Sequence, residues 1–133
     1  FARPFAPDLH PCDLRDTIRD VKSLIREEMD GNRIALNLNI SNSSRIVIAD
    51  PHHLKSIFLN LFKNAVQALP DGGSITLSAR RDSDSCLVSL RDSGPGIPPD
   101  LREKVFTPFF TTRQQGTGLG LPVVRRMIES MGG

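Results

Sequence analysis

Apolar side chains at Leu14, Ile18, Val21, Ile25 and Met29 share one face of a 3.6-residue period. With Asp13 as N-cap and Gly31 or Asn32 as a stop, they predict a helix over 13–31. The period then changes to two. Ile34, Leu36, Leu38 and Ile40 alternate with polar residues, the pattern of a half-buried strand, and "RIVIA" (45–49) predicts a second strand. Asp50 and Pro51, a capping carboxylate followed by proline at the first helical position, open a helix that ends near Pro70. "PDGG" is a turn, and "SITLSARR" and "CLVSLRD" read as strands on either side of "DSDS". "DLREKVF" predicts one or two helical turns, "TPFFTTRQQGTG" a loop, and "LGLPVVRRMIESM" a last helix with Pro122 in its first turn. Helix, strands, helix, strands, helix predicts an α/β (α+β) two-layer sandwich, a mixed sheet with about three helices on one face.

Residues 1–12 are rich in proline and have no period, so they read as a linker from something upstream, leaving 13–133 as one domain. A length of 133 residues suffices for a real core. The net charge of +2 implies no broad surface for polyanions, and the lack of Trp and Tyr removes an aromatic platform, so nucleic acid is not expected as a partner. Cys12 and Cys86 have no metal-type spacing and read as inert thiols of a reducing compartment. No apolar run approaches membrane-spanning length, so no membrane contact is expected of this chain.

One helix carries an oddity. In "HHLKSIFLNLFKNAVQAL" (52–69), Asn60 and Asn64 stand four residues apart, in line with His53, Ser56 and Gln67, among leucines and phenylalanines. Asparagine is a mediocre helix former and costly to bury unpaired. A carboxamide oxygen is a neutral hard ligand suited to Mg²⁺, and its NH₂ can donate to phosphate. A buried amide network tying the helix to a neighbour fits the stripe equally well.

Two further stretches suggest chemistry. "RDSGPGIP" delivers Asp92 from a strand into a turn where Gly94 and Gly96 permit unusual backbone shapes, and a carboxylate there can accept from an exocyclic amine such as that of adenine. Read alone, it is as easily a turn closed by an Asx bond. "GTGLGLP" sets Gly116, Gly118 and Gly120 at the start of the last helix, where free N–H groups and the helix dipole favour anions. It is neither a P-loop nor a dinucleotide fingerprint. Between them, "FTPFFTTR" either covers a ligand as a lid or is a surface loop with Phe106, Phe109 and Phe110 tucked into the core.

Taken in order, these motifs strongly resemble the ATP-binding catalytic domain of sensor histidine kinases, in the superfamily shared with gyrase-type ATPases. "NLFKNAVQAL" resembles the N box, "DSGPGI" the first glycine box, "FTPFFTT" the F box and "GTGLGL" the second glycine box, over residues 50–133. "PFFTT" and "NLxxNAxxAL" most resemble the nitrogen-regulation subgroup.

The resemblance implies Asn64 as the Mg²⁺ ligand and Asn60 beside metal or phosphate, the two catalytic positions. It implies Asp92 on the adenine amine, with Gly94, Gly96 and Ile97 shaping that pocket. Gly116, Thr117, Gly118, Leu119 and Gly120 would surround the phosphates, with Lys63, Thr112 and Arg113 as further candidates. The implied activity is transfer of the γ-phosphate of Mg-ATP to a histidine on an upstream dimerisation and phosphoacceptor domain, then to the receiver domain of a response regulator, in the cytoplasm. His10, His52 and His53 lack the acidic neighbour and arginine of a phosphoacceptor. Gyrase-type hydrolases carry glutamate where Asn60 stands, so the amide favours transfer over hydrolysis. A serine kinase of the same fold and a docking module without nucleotide are the alternatives. The chain stops at "ESMGG", where the family continues into further strands, so the resemblance implies a sheet without its last strands and with an exposed edge.

Overall fold

The computed structural model describes residues 6–110 and 120–133. Helix α1 (Leu14–Gly31) starts where Asp13 accepts a hydrogen bond from Arg15 N, and it buries Leu14, Ile18, Val21, Ile25 and Met29 as its spacing predicts. Strand β2 (Ile34–Ile40) lies parallel to β4 (Gly73–Asp82), and β4 is antiparallel to β5 (Ser85–Asp92), giving the sheet order β2-β4-β5. A two-residue turn at Ser83 and Asp84 closes that hairpin, with Ser83 at φ 54°, a left-handed position that such a turn requires. Helix α2 (Pro51–Gln67) and helix α3 (Gly120–Ser130) complete the helical layer.

The register explains why one face of the sheet is covered. Leu36, Ile75 and Asp92 form one row across it, and Leu38, Leu77 and Leu90 the next. Side chains alternate across a strand, so these rows face the helices together. Phe62 of α2, Ile75 and Leu77 of β4, and Leu14, Ile18, Val21 and Ile25 of α1 are the large side chains most completely buried. Truncating Phe62 to alanine would cost about 3–5 kcal/mol. Leu38 shares the inner face yet is 44 % exposed, on a strand at the edge of the sheet. The expected mixed sheet with three helices on one face is therefore what forms.

A strand appears where the proline-rich start has no period. Strand β1 (His10–Asp13) pairs antiparallel with β3 (Ile46–Ala49) as a separate two-stranded sheet. Four residues containing Pro11 show no alternation, and proline is tolerated because the ribbon is all edge. Cys12 is buried in this ribbon, its thiol donating to Ala49 O at 3.4 Å, and both Cys12 and Cys86 are free thiols. Burial pushes both thiols above their ordinary pKa, which disfavours the nucleophilic thiolate.

The segment "DLREKVF" folds as two 3₁₀ turns, Pro99–Leu101 and Lys104–Phe106. The outer edge of β5 has no partner among the described residues. It borders a groove of about 660 Å³ lined in part by Ile46, Ile48, Leu87 and Ile128.

Candidate nucleotide site along helix α2

Asp50 starts the site by fixing the start of α2. Its side chain accepts from His52 N (2.9 Å) and His53 N (3.2 Å), and Pro51 needs no partner at the first position. The other carboxylate oxygen accepts from Asp8 N at 2.9 Å, and the Asp50 amide donates to Met131 Sδ at 3.4 Å. The carboxylate thus ties the incoming chain to α2, and the amide of the same residue reaches the segment just after α3. Its pKa is held below the ordinary value chiefly by the Asp8 N–H. Burial opposes this, and the His53 and His52 amides and the His53 charge add to it.

Farther along α2, Asn60 and Asn64 are half-buried, and Lys63 between them is exposed. Asn60 Nδ2 donates to Ser56 O at 2.8 Å, so the amide of Asn60 is oriented by its own helix. Its Oδ1 is turned toward the first residue of α3: a Cβ built on Gly120 would lie 3.4 Å from Asn60 Oδ1 and 3.9 Å from Asn64 Nδ2. The stripe therefore meets the N-terminal end of α3, where backbone N–H groups have no intrahelical acceptor. Gln67, the last residue of the stripe, is exposed.

A second corner forms at the end of the same helix. Asp92 closes β5 on the helix-facing side of the sheet, in the row of Ile75. Its Oδ1 accepts from Gly94 N at 2.9 Å, the expected Asx bond, and this leaves Oδ2 for another donor. A Cβ on Gly94 would lie 2.9 Å from both Ala68 O and Asp92 Oδ1, so glycine is required there for space. Gly96 is glycine for a different reason, a left-handed φ of 78° with nothing near the missing Cβ. Ile97 beyond it is 45 % exposed.

The two corners share one line. Asn60, Asn64 and Ala68 follow at steps of four residues along α2, which spaces the ends by about 12 Å of helix axis. Ala68 escapes sequence reading because it contributes only a backbone carbonyl. Ser93, whose hydroxyl accepts from Ser74 N at 2.9 Å, also escapes it, although serine after aspartate in a glycine turn is a recognisable turn signal.

Of the three F-box phenylalanines, Phe106 and Phe109 are exposed rather than tucked into the core, and Phe110 is half-buried. Phe106 is 37 % exposed with Arg125 of α3 over its ring at 5.1 Å, and Phe109 is 76 % exposed at φ 67°. Thr112, Arg113, Gly116, Thr117, Gly118 and Leu119 lie outside the described residues.

Among the described residues no group of three or more His, Cys, Asp or Glu could hold a metal. Two neutral carboxamides fit a hard cation by atom type but supply no charge, so they suit one that arrives with phosphates.

The sequence matches the family described as "Histidine kinase-, DNA gyrase B-, and HSP90-like ATPase" over residues 49–133. It is 37 % identical over 132 residues to the sensor histidine kinase ZraS of Salmonella typhi, covering 98 % of this chain and 28 % of that protein. The chain thus spans less than a third of that relative's length. The nucleotide-free catalytic domain of histidine kinase ThkA superposes with a TM-score of 0.84 at 37 % identity, over 92 % of this chain and 80 % of that one. ThkA in complex with the response regulator protein TrrA gives a TM-score of 0.81 at 33 % identity, over 96 % of this chain and 36 % of that one. With its two corners on one helix and this likeness along nearly its whole length, the chain belongs to the histidine kinase-, DNA gyrase B- and HSP90-like ATPase family, as a catalytic domain of the histidine-kinase type.

Proposed function

We propose that the chain binds Mg-ATP along α2 and transfers the γ-phosphate to a histidine on a dimerisation and phosphoacceptor domain of the same protein. The observation that carries this reading is the line Asn60–Asn64–Ala68, which joins the Asp92 corner to the Gly120 corner. In this assignment Asp92 Oδ2 accepts from the adenine amine, while the Gly94 N–H holds the carboxylate in place. Asn64 is the Mg²⁺ ligand and Asn60 lies beside it. Gly120 and the preceding Gly116, Thr117, Gly118 and Leu119 take the phosphates, and Thr112, Arg113 and Lys63 are lesser candidates for contact. Bound Mg²⁺ would supply charge neutralisation and phosphate orientation, which phosphoryl transfer needs more than covalent help.

The residues of this chain hold and align; the nucleophile comes from elsewhere. No carboxylate stands at Asn60 to take a proton from water, which favours transfer over hydrolysis. The phosphohistidine would then donate to the receiver domain of a response regulator, a reading supported by the ThkA–TrrA complex, and the reaction would take place in the cytoplasm. The nitrogen-regulation subgroup remains part of this proposal through "PFFTT" and "NLxxNAxxAL".

The test is incubation of the intact protein with γ-labelled ATP and Mg²⁺. An acid-labile, base-stable label that disappears in Asn64→Ala is the expected result. An acid-stable label would mean a serine kinase, and no binding of nucleotide by calorimetry would mean a docking module.

A further inference from the structure

Strand β5 ends at Asp92, yet its pairing with β4 continues for one more rung in an altered form. Ser93 N–H donates to Ser74 O at 3.0 Å, as the next step of an antiparallel ladder would. A regular rung of this kind exchanges two bonds between main chains. Here the return bond runs from Ser74 N–H to Ser93 Oγ at 2.9 Å. The hydroxyl replaces the Ser93 carbonyl as acceptor, so the main chain can leave the sheet without orphaning the Ser74 N–H. Released in this way, the chain turns at once, and Gly94 N–H reaches back to Asp92 Oδ1 at 2.9 Å.

Gly73 makes room for this arrangement. A Cβ on Gly73 would collide with Ser93 Oγ, and its φ of 149° lies where other residues are strained. Glycine at the start of β4 and serine at the exit of β5 are thus two halves of one fitting. Ser93 itself is exposed, so without its hydroxyl water can satisfy Ser74 N–H, while the main-chain bond from Ser93 N–H to Ser74 O alone is left to hold the rung.

We infer that Ser93 is a positioning residue for base recognition: its hydroxyl ends the β4–β5 ladder and thereby aims the Asp92 carboxylate at the adenine amine. The inference rests on the proposed reading of Asp92. It concerns specificity more than stability, because the bond it loses is open to solvent while the direction of Asp92 depends on it. Threonine keeps the hydroxyl and should keep the function.

The test is calorimetric titration of the intact protein with ADP and with IDP, whose base carries a carbonyl in place of the amine. Ser93→Ala should weaken ADP binding by about tenfold, leave IDP binding unchanged and leave the melting temperature nearly so. Ser93→Thr should restore the preference for ADP, and Ser93→Ala should add nothing in an Asp92→Asn background. Equal loss of ADP and IDP affinity, or an unchanged preference in Ser93→Ala, would overturn the role of Ser93. A full ADP preference in Asp92→Asn would instead overturn the reading of Asp92 and the inference with it.

Discussion

Asn60 faces Gly120 across the junction of α2 and α3, and a Cβ on Gly120 would stand 3.4 Å from Asn60 Oδ1. Such a contact lets alanine fit with a small adjustment, but a branched side chain would fill the corner between the carboxamides and the start of α3. Gly120→Val is expected to weaken Mg-ADP binding by roughly tenfold or more, about 1.4 kcal/mol, with little change in melting temperature. Titration calorimetry paired with thermal melting checks both halves.

Gly94 and Gly96 should respond differently to the same substitution. A methyl at Gly94 meets Ala68 O, a backbone atom, and Asp92 Oδ1, which the Gly94 N–H holds in place, both at 2.9 Å. Gly94→Ala should destabilise the domain by about 1–3 kcal/mol and abolish detectable nucleotide binding. Gly96→Ala meets open space and bears only the cost of its left-handed backbone, about 1–2 kcal/mol. Denaturant unfolding of the two variants, with ADP titrations, separates crowding from strain.

Asp50 predicts an acid limit to stability. Its pKa is lowered in the folded state from an ordinary 3.8, so its contribution is complete above that value and is lost as pH falls through the folded pKa. Asp50→Asn keeps a cap oxygen for α2 but presents an NH₂ to Asp8 N. Its stability should therefore fall less steeply with acid below about pH 4 than that of the wild type. Asp50→Ala also loses the cap, about 1–2 kcal/mol, at every pH. Urea unfolding at stepped pH gives the slopes; equal slopes for wild type and Asp50→Asn would refute the assignment.

The proposed role of Asn60 distinguishes transfer from hydrolysis. Its amide is held by Ser56 O at 2.8 Å and carries no basic group for activating water. Asn60→Ala should reduce phosphoryl transfer to the histidine by about a hundredfold, as loss of an oriented polar group at developing charge commonly does. Release of free phosphate should be slow in wild type and no slower in the variant. A fast phosphate release that Asn60→Ala abolishes would contradict this.

How much of the site was legible follows from what each residue contributes. Asn60, Asn64, Asp92 and Gly94 were proposed for side-chain chemistry or its absence, and both leave a mark on the sequence. Ala68 lends a backbone carbonyl, and Ser93 a hydroxyl whose partner, Ser74, is nineteen residues away. Neither contact has a local pattern. The strand at His10–Asp13 was hidden likewise, because its pairing is to Ile46–Ala49, far along the chain.

Local order in the chain was enough to place α1, α2 and α3 and the strands of the sheet, with their caps at Asp13 and Asp50. Periodicity and capping act over a few residues, so they are written in consecutive letters. What required the folded chain was convergence: that Asp92 lies in the row of Ile75, facing the helices, and that Gly120 comes to rest against Asn60 and Asn64. Those placements depend on β4–β5 register and on α2 packing against α3. Such contacts form only when the whole core closes, and no stretch of the chain encodes them alone.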